Sequence, residues 1–358
     1  MRASLLVLAL ITGLGAAEAF PPPDAADLEQ MPLATRLAGD PPPAGLRHWQ
    51  GFAATDLVGS YTSVVRRDGR IEVWSSTWDE GGAAAHRLVV RSGPALDRLA
   101  APVAAFDGRL IDDVADTAGA AAPARGFTRA SMHHDAGNGY VLLGCVCPDY
   151  LPGQVPLLPA LAASPDGTAG SWRYLGRLRG EPAAEAARAR IWSDGGALLP
   201  VPGGWRAYLN GYGQALGLAE AADLGGEWRF RRDAQGRIAE LLPDFRRITG
   251  RTGCFPTVLR AGPADWHAWV CDGWPTQAIW HFWSADGLAW QTYGQQPEIT
   301  RALVNGRPLK CLRTWVEDGA IAGLLSVWMP TADGEREWRL YLGRMPTGPR
   351  AGPPAPGR

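Results

Sequence analysis

The chain has 358 residues, a formal charge of −1 and a hydrophobic content of 46%. Balanced charge gives no global field to draw in nucleic acid or an anionic membrane, and the length is too great for one small core. With 45 Gly, 30 Pro and 16 Trp, it suits short strands punctuated by turns.

Residues 1–19 read as a secretory signal peptide. Arg2 supplies the positive start, an apolar run follows, and Ala17-Glu18-Ala19 offers small residues for cleavage before Phe20. The run is too short to span a bilayer. The mature protein is therefore expected to be exported, periplasmic or secreted, and monomeric, with no nucleic-acid or membrane partner. Residues 20–45 hold two Pro triplets and read as a linker. Residues 346–358 are rich in Pro and Gly and are expected to be a disordered tail.

Between these ends, one segment recurs. Ser164-Pro165-Asp166-Gly167 leads to Trp172, and Ser284-Ala285-Asp286-Gly287 leads to Trp290. A relaxed copy around Asp223-Leu224-Gly225-Gly226 leads to Trp228. The copies lie about 60 residues apart, roughly one four-stranded sheet with its loops. The expected fold of 46–345 is all-β, a five-bladed β-propeller.

Five units follow in chain order. The first, 60–93, has Tyr61 to Val65, a turn at Asp68-Gly69, then Ile71 to Trp74 and Leu88 to Val90. Residues 95–124 are rich in Ala and Asp and read as a loop or short helix; a hidden sheet there would make six blades. The second unit is 127–176, the third 190–230, the fourth 254–294 and the fifth 309–345. A strand from 46–52 is expected to close the ring with the last blade.

Five Cys in an exported chain permit disulfides. Cys254 and Cys271 flank a hairpin centred near Gly262-Pro263 and should lie opposite each other, as a bridge or as two thiols. No Cys/His spacing suggests zinc, and neither metal nor cofactor is expected.

The run Tyr61-Thr62-Ser63-Val64-Val65 with Asp68-Gly69 and Ile71 to Ser75 resembles the first blade of five-bladed propeller glycosidases. These are the arabinanase/xylosidase group, glycoside hydrolase family 43, and the invertase-like enzymes. Leu216 to Ala219 followed by Asp223 to Trp228 is similar to their third blade, and the Ser-x-Asp-Gly turns resemble the Asp-boxes of sialidases. The resemblance covers roughly residues 55 to 345. It implies a carbohydrate partner and carboxylates at the starts of the first three inner strands. There this chain has Tyr61, then Ser131 nearest in the second blade, and only Asp194 in the third.

The inner-strand starts otherwise read as Arg129, Arg190 with Trp192, Cys254 and Arg313. Arg binds carboxylate bidentately, so converging Arg would suit an anionic sugar; alternatively these Arg point between blades and pair with Asp or Glu. A Tyr beside Arg resembles the sialidase arrangement, in which Tyr is the nucleophile. Asp194 and Tyr61 are thus the expected catalytic pair. Arg129, Arg190, Trp192, Arg313, Trp274 and Asp272 are the expected substrate-binding residues.

Further carboxylates that could complete a pair are Asp56, Asp113, Asp135, Asp149 and Glu317. Among the Trp, Trp74, Trp172, Trp228 and Trp290 read as repeated core positions, while Trp78, Trp315 and Trp328 are further candidates to stack on sugars. The expected function is a glycoside hydrolase-like, carbohydrate-binding propeller. Two alternatives stand beside it: a non-catalytic carbohydrate binder, and a protein-interaction scaffold.

Overall fold

A computed structural model describes residues 48–77, 87–107, 127–135, 137–146, 158–178, 196–211, 214–242, 245–273, 276–293, 297–330 and 336–346. After β1 (Phe52–Val58), the first blade comprises β2 (Ser60–Arg67), β3 (Arg70–Thr77), β4 (Arg87–Gly93) and β5 (Val103–Asp107). The second comprises β6 (Phe127–Asp135), β7 (Gly139–Val146), β8 (Leu158–Ser164) and β9 (Arg173–Arg177). The third comprises β10 (Gly196–Val201), β11 (Gly204–Gly211), β12 (Gln214–Ala221) and β13 (Arg229–Phe230).

In the fourth blade, β14 (Cys254–Gly262), β15 (Asp265–Cys271), β16 (Ala278–Ser284) and β17 (Gln291–Thr292) pair in order. The short β18 (Ile299–Thr300) also pairs with β16. The fifth has β19 (Leu309–Glu317), β20 (Ala320–Pro330) and β21 (Arg336–Pro346), completed by β1 (Phe52–Val58).

The first strand of each blade is innermost. β2 packs on β6, β6 on β10, β10 on β14, β14 on β19, and β19 returns to β2. That closed circuit makes five blades around one axis. Five apolar clusters fill the five spaces between blades. Alternation along each strand feeds two of them. Leu142 faces the first blade with Trp74 and Met132, whereas Val141 and Leu143 face the third with Trp205 and Leu198. A strand buried on both faces reads as a continuous apolar run, as Tyr140-Val141-Leu142-Leu143 does.

The Ser-x-Asp-Gly segments close the turn between third and fourth strands. Ser164 Oγ accepts from Gly167 N at 2.7 Å, and Ser284 Oγ from Gly287 N at 2.9 Å. Asp166 Oδ1 accepts from Thr168 N at 2.9 Å; Asp286 Oδ1 accepts from Leu288 N at 2.7 Å. Trp172, Trp228 and Trp290 then turn inward and are buried. Trp74 is equally buried but lies on β3, so it is no member of that repeat.

Two boundaries differ from the sequence reading. The closing strand is Phe52–Val58 and not 46–52, because Gly51 takes a φ of 111° and interrupts the extended run. Residues 103–107, expected in a loop or helix, form the outer strand of the first blade, pairing Leu88 with Phe106 and Val90 with Val103. The run from Arg190 to Asp194, expected in the third unit, lies outside the described residues, which resume with β10 at Gly196.

Candidate functional site

Four of the five inner strands carry a β-bulge at their start. Register shifts fall between Ser60 and Ser63, Thr128 and Ser131, Cys254 and Thr257, and Leu309 and Leu312. The extra residue re-aims a side chain at the upper end of the axis, where the inner strands begin. Tyr61 and Phe255 occupy the first bulge position with φ of 51° and 50°. Such values are strained for bulky residues. Arg129 and Lys310 hold the equivalent places in the second and fifth blades.

The side chains converge. The Tyr61 and Phe255 rings meet edge to face, centroids 5.6 Å apart. Their blades, the first and fourth, are not neighbours in the ring, so they meet across the axis. Lys310, the only Lys in the sequence, places Nζ 4.3 Å from the Tyr61 centroid and 4.9 Å from that of Trp338. Tyr61, Phe255 and Lys310 are all buried. At this level of the axis two aromatic rings meet, with a cation against one of them.

The residue after the bulge stitches blades together. Ser63 Oγ accepts from Met132 N at 3.0 Å, and Thr257 Oγ1 donates to Leu312 O at 2.5 Å. Ser131 holds the same place in the second blade.

Arg313 is not at a strand start, as the sequence reading had it, but is the fifth residue of β19. Its Nη1 donates to Pro256 O at 3.0 Å and to Thr257 Oγ1 at 2.6 Å, crossing to the fourth blade beside Phe255. Asp272 follows β15 and is buried. Its Oδ1 accepts from Gln277 N at 3.0 Å and Ala278 N at 3.2 Å, and its Oδ2 lies 3.6 Å from Arg251 Nη1. Burial pushes its carboxyl up, against the opposing pull of those N–H groups and Arg251. Asp272 therefore caps its loop.

Asp194, Arg190, Trp192 and Trp274 lie outside the described residues, as do Trp78, Asp113, Asp149 and the side chain of Arg129. The remaining carboxylates have structural partners or lie away from the axis. Asp56 is exposed on β1, the outermost strand of its blade. Asp135 Oδ1 accepts from Gly137 N at 2.7 Å. Glu317 pairs with Arg66 at 2.7 Å and Arg344 at 2.9 Å. Trp315 is buried between the fifth and first blades, and Trp328 packs edge to face on Trp338.

Cys254 and Cys271 do face each other across the hairpin, and both are free thiols. Burial, and then the hydrogen bond with Cys271, push the Cys254 thiol well up.

A second polar cluster lies between the fourth and fifth blades. His267 Nε2 is 3.0 Å from Asp265 Oδ1, His267 Nδ1 is 2.8 Å from His281 Nε2, and His281 Nδ1 is 2.6 Å from Glu298 Oε2. Burial raises the Glu298 carboxyl, but His281, then His48 and Trp269, outweigh it and hold it at about 2.

Phe255 and Lys310 were missed in the sequence. Tyr61 stands seven residues before the Asp68 turn, and Phe255 and Lys310 eight before Pro263 and Asp318. Counting back from every hairpin turn would have found all three.

No protein-family model and no curated protein sequence matches the chain. Solved structures do. An exo-1,5-alpha-L-arabinanase from a bovine ruminal metagenomic library aligns with a TM-score of 0.55 and 11% identity, over 81% of this chain and 94% of that one. An exo-beta-1,3-galactanase from Clostridium thermocellum aligns at 0.53 and 10% identity, over 80% of this chain and 60% of that one. An arabinanase from Bacillus subtilis aligns at 0.51 and 10% identity, over 82% and 96%. At such identities the likeness is one of architecture: the chain has the five-bladed β-propeller fold of these arabinanase- and galactanase-type glycosidases.

Proposed function

We propose that this chain is an exported propeller that binds a carbohydrate at the upper end of its axis. The observation that carries this reading is the convergence of Tyr61, Phe255, Lys310 and Arg313 from three blades onto that end. Aromatic faces and fixed N–H donors are the groups with which proteins hold sugar rings and hydroxyls. The fold shared with glycosidases points to the same ligand class. In the catalytic form of this reading, Asp194 and Tyr61 are the catalytic pair, and Arg129, Arg190, Trp192 and Trp274 are the substrate-binding residues, with Asp272 holding its loop in place behind them.

A binder without turnover is favoured by a specific observation. Among the described residues, the bulge positions hold Tyr61, Phe255 and Lys310, and no carboxylate. Hydrolysis of a glycoside ordinarily needs two carboxylates about 5 to 10 Å apart. The test is a panel of plant and microbial oligosaccharides, scored by calorimetry for binding and by chromatography for cleavage. Cleavage lost in Asp194→Ala supports the enzyme. Binding without cleavage supports the binder. Binding to no oligosaccharide overturns both.

A further inference from the structure

Arg313 is buried, at 5% exposure, yet its guanidinium is only half used. Nη1 is held by Pro256 O and Thr257 Oγ1, while Nε and Nη2 have no acceptor among the described residues. Leaving donors of a buried cation unmatched is costly, and folded proteins seldom tolerate it without a reason.

The guanidinium lies on the axial side of β19. Along β19, Leu312 faces the fourth blade and Trp315 the first, so alternation starts Arg313 on the first-blade side. Its Nη1 nevertheless reaches Pro256 of the fourth blade. The side chain can make that crossing only around the inner edge of β19, which is the axis itself. Pro256 follows Phe255, so the guanidinium lies at the level of the axial aromatic pair. The Lys310 ammonium, three residues earlier, adds a second positive charge at the same end.

The geometry of the two unmatched donors selects their partner. Nε–H and the neighbouring Nη2–H are the parallel pair with which guanidinium grips both oxygens of a carboxylate side-on. Nη1, tied to β14, holds that pair in position. A sugar hydroxyl would satisfy one donor and leave the charge unmatched.

We propose that Arg313 is the carboxylate-binding centre of this propeller, and that its glycan carries a hexuronic acid whose carboxylate sits against Nε and Nη2. This rests on the carbohydrate reading above. It narrows the ligand from glycans in general to those containing uronic acids.

The test is calorimetric titration of the full chain with trigalacturonate and with a glucuronic-acid-substituted xylan oligosaccharide. The carboxyl-reduced form of each and a sulfated neutral oligosaccharide serve as comparisons. Arg313→Lys keeps the charge and can still reach Pro256 O and Thr257 Oγ1, but lacks the fork. Its melting temperature reports whether it folds, and Arg313→Met serves as a second variant. Expected is binding of at least one carboxylated probe, no binding of its reduced form, and a roughly 10- to 100-fold affinity loss in Arg313→Lys. Equal binding of acid and reduced probes, unmoved by Arg313→Lys, overturns the inference and leaves the carbohydrate reading standing. Preference for the sulfated probe overturns the carboxylate assignment. If no oligosaccharide binds and free glucuronate gives no Arg313-dependent rise in melting temperature, both readings fall.

Discussion

Tyr61 and Phe255 stand on blades that do not touch, yet their rings meet edge to face, centroids 5.6 Å apart, across the propeller axis. Both backbones take a left-handed φ near 50° to do so. Each such conformation costs about 1–3 kcal/mol and persists only where surrounding packing over-determines it. Closing the ring supplies that packing, since Tyr61 of the first blade joins the cluster between the fourth and fifth.

Truncating either ring should therefore destabilise the whole ring of blades. Tyr61→Ala and Phe255→Ala should each lose about 3–5 kcal/mol in urea denaturation. Tyr61→Phe should keep the fold, because the ring does the packing. Loss of any turnover in that variant at unchanged melting temperature would assign the hydroxyl to chemistry.

The Asp-box turns make a graded series. Ser284→Ala removes the hydrogen bond that Ser284 Oγ accepts from Gly287 N and its bonds with Asp286, and should cost about 1–2 kcal/mol. Gly287→Ala should cost more, about 2–4 kcal/mol. Its φ is 74°, and a Cβ there would stand 2.5 Å from Tyr208 Oη and 2.9 Å from Trp266. A urea midpoint for Gly287→Ala no lower than that for Ser284→Ala would contradict the turn's role between blades.

Glu72 joins the first two blades from inside. It accepts from Tyr140 Oη at 2.7 and 2.8 Å and from Trp74 Nε1 at 3.1 Å. Burial, and then that bond and the Glu72 charge, push the Tyr140 phenol far up. Glu72→Ala would strand two buried donors and should cost about 3 kcal/mol or more, read from the urea midpoint. Glu72→Gln, which keeps an acceptor, should cost less.

Glu298 ties stability to pH. Its carboxyl is held at about 2, below an ordinary value of about 4.3. A depressed acid stabilises the fold above its unfolded pKa, and that stability is lost as pH falls through the folded one. The contribution is on the order of 3 kcal/mol at neutral pH and should fade between roughly pH 5 and pH 2. Glu298→Gln should be less stable at pH 7 and flatter across that window. Parallel acid limbs in the two proteins would show that the His281–Glu298 pair does not control it.

The β character, the blade count and the five strand groups were legible because alternation, Trp placement and Ser-x-Asp-Gly turns are local signals. Each is set by residues a few positions apart, as in Ser164 with Gly167 or Asp286 with Leu288. Even the facing of Cys254 and Cys271 followed from their distance to one hairpin turn. The boundary at Gly51 was less legible, because where an extended run stops depends on which strand it meets.

The axial site depended on tertiary structure for another reason. A bulge shifts a strand's facing by one residue, so Lys310 and not Arg313 took the place equivalent to Tyr61. Arg313 gained its position only because the fourth blade presents Pro256 O and Thr257 Oγ1 to it. The sequence alone determined a ring of five sheets, through repeated local turn and strand chemistry. Which side chains meet on the axis was decided by closure of the ring, which brings together blades some 200 residues apart in the chain.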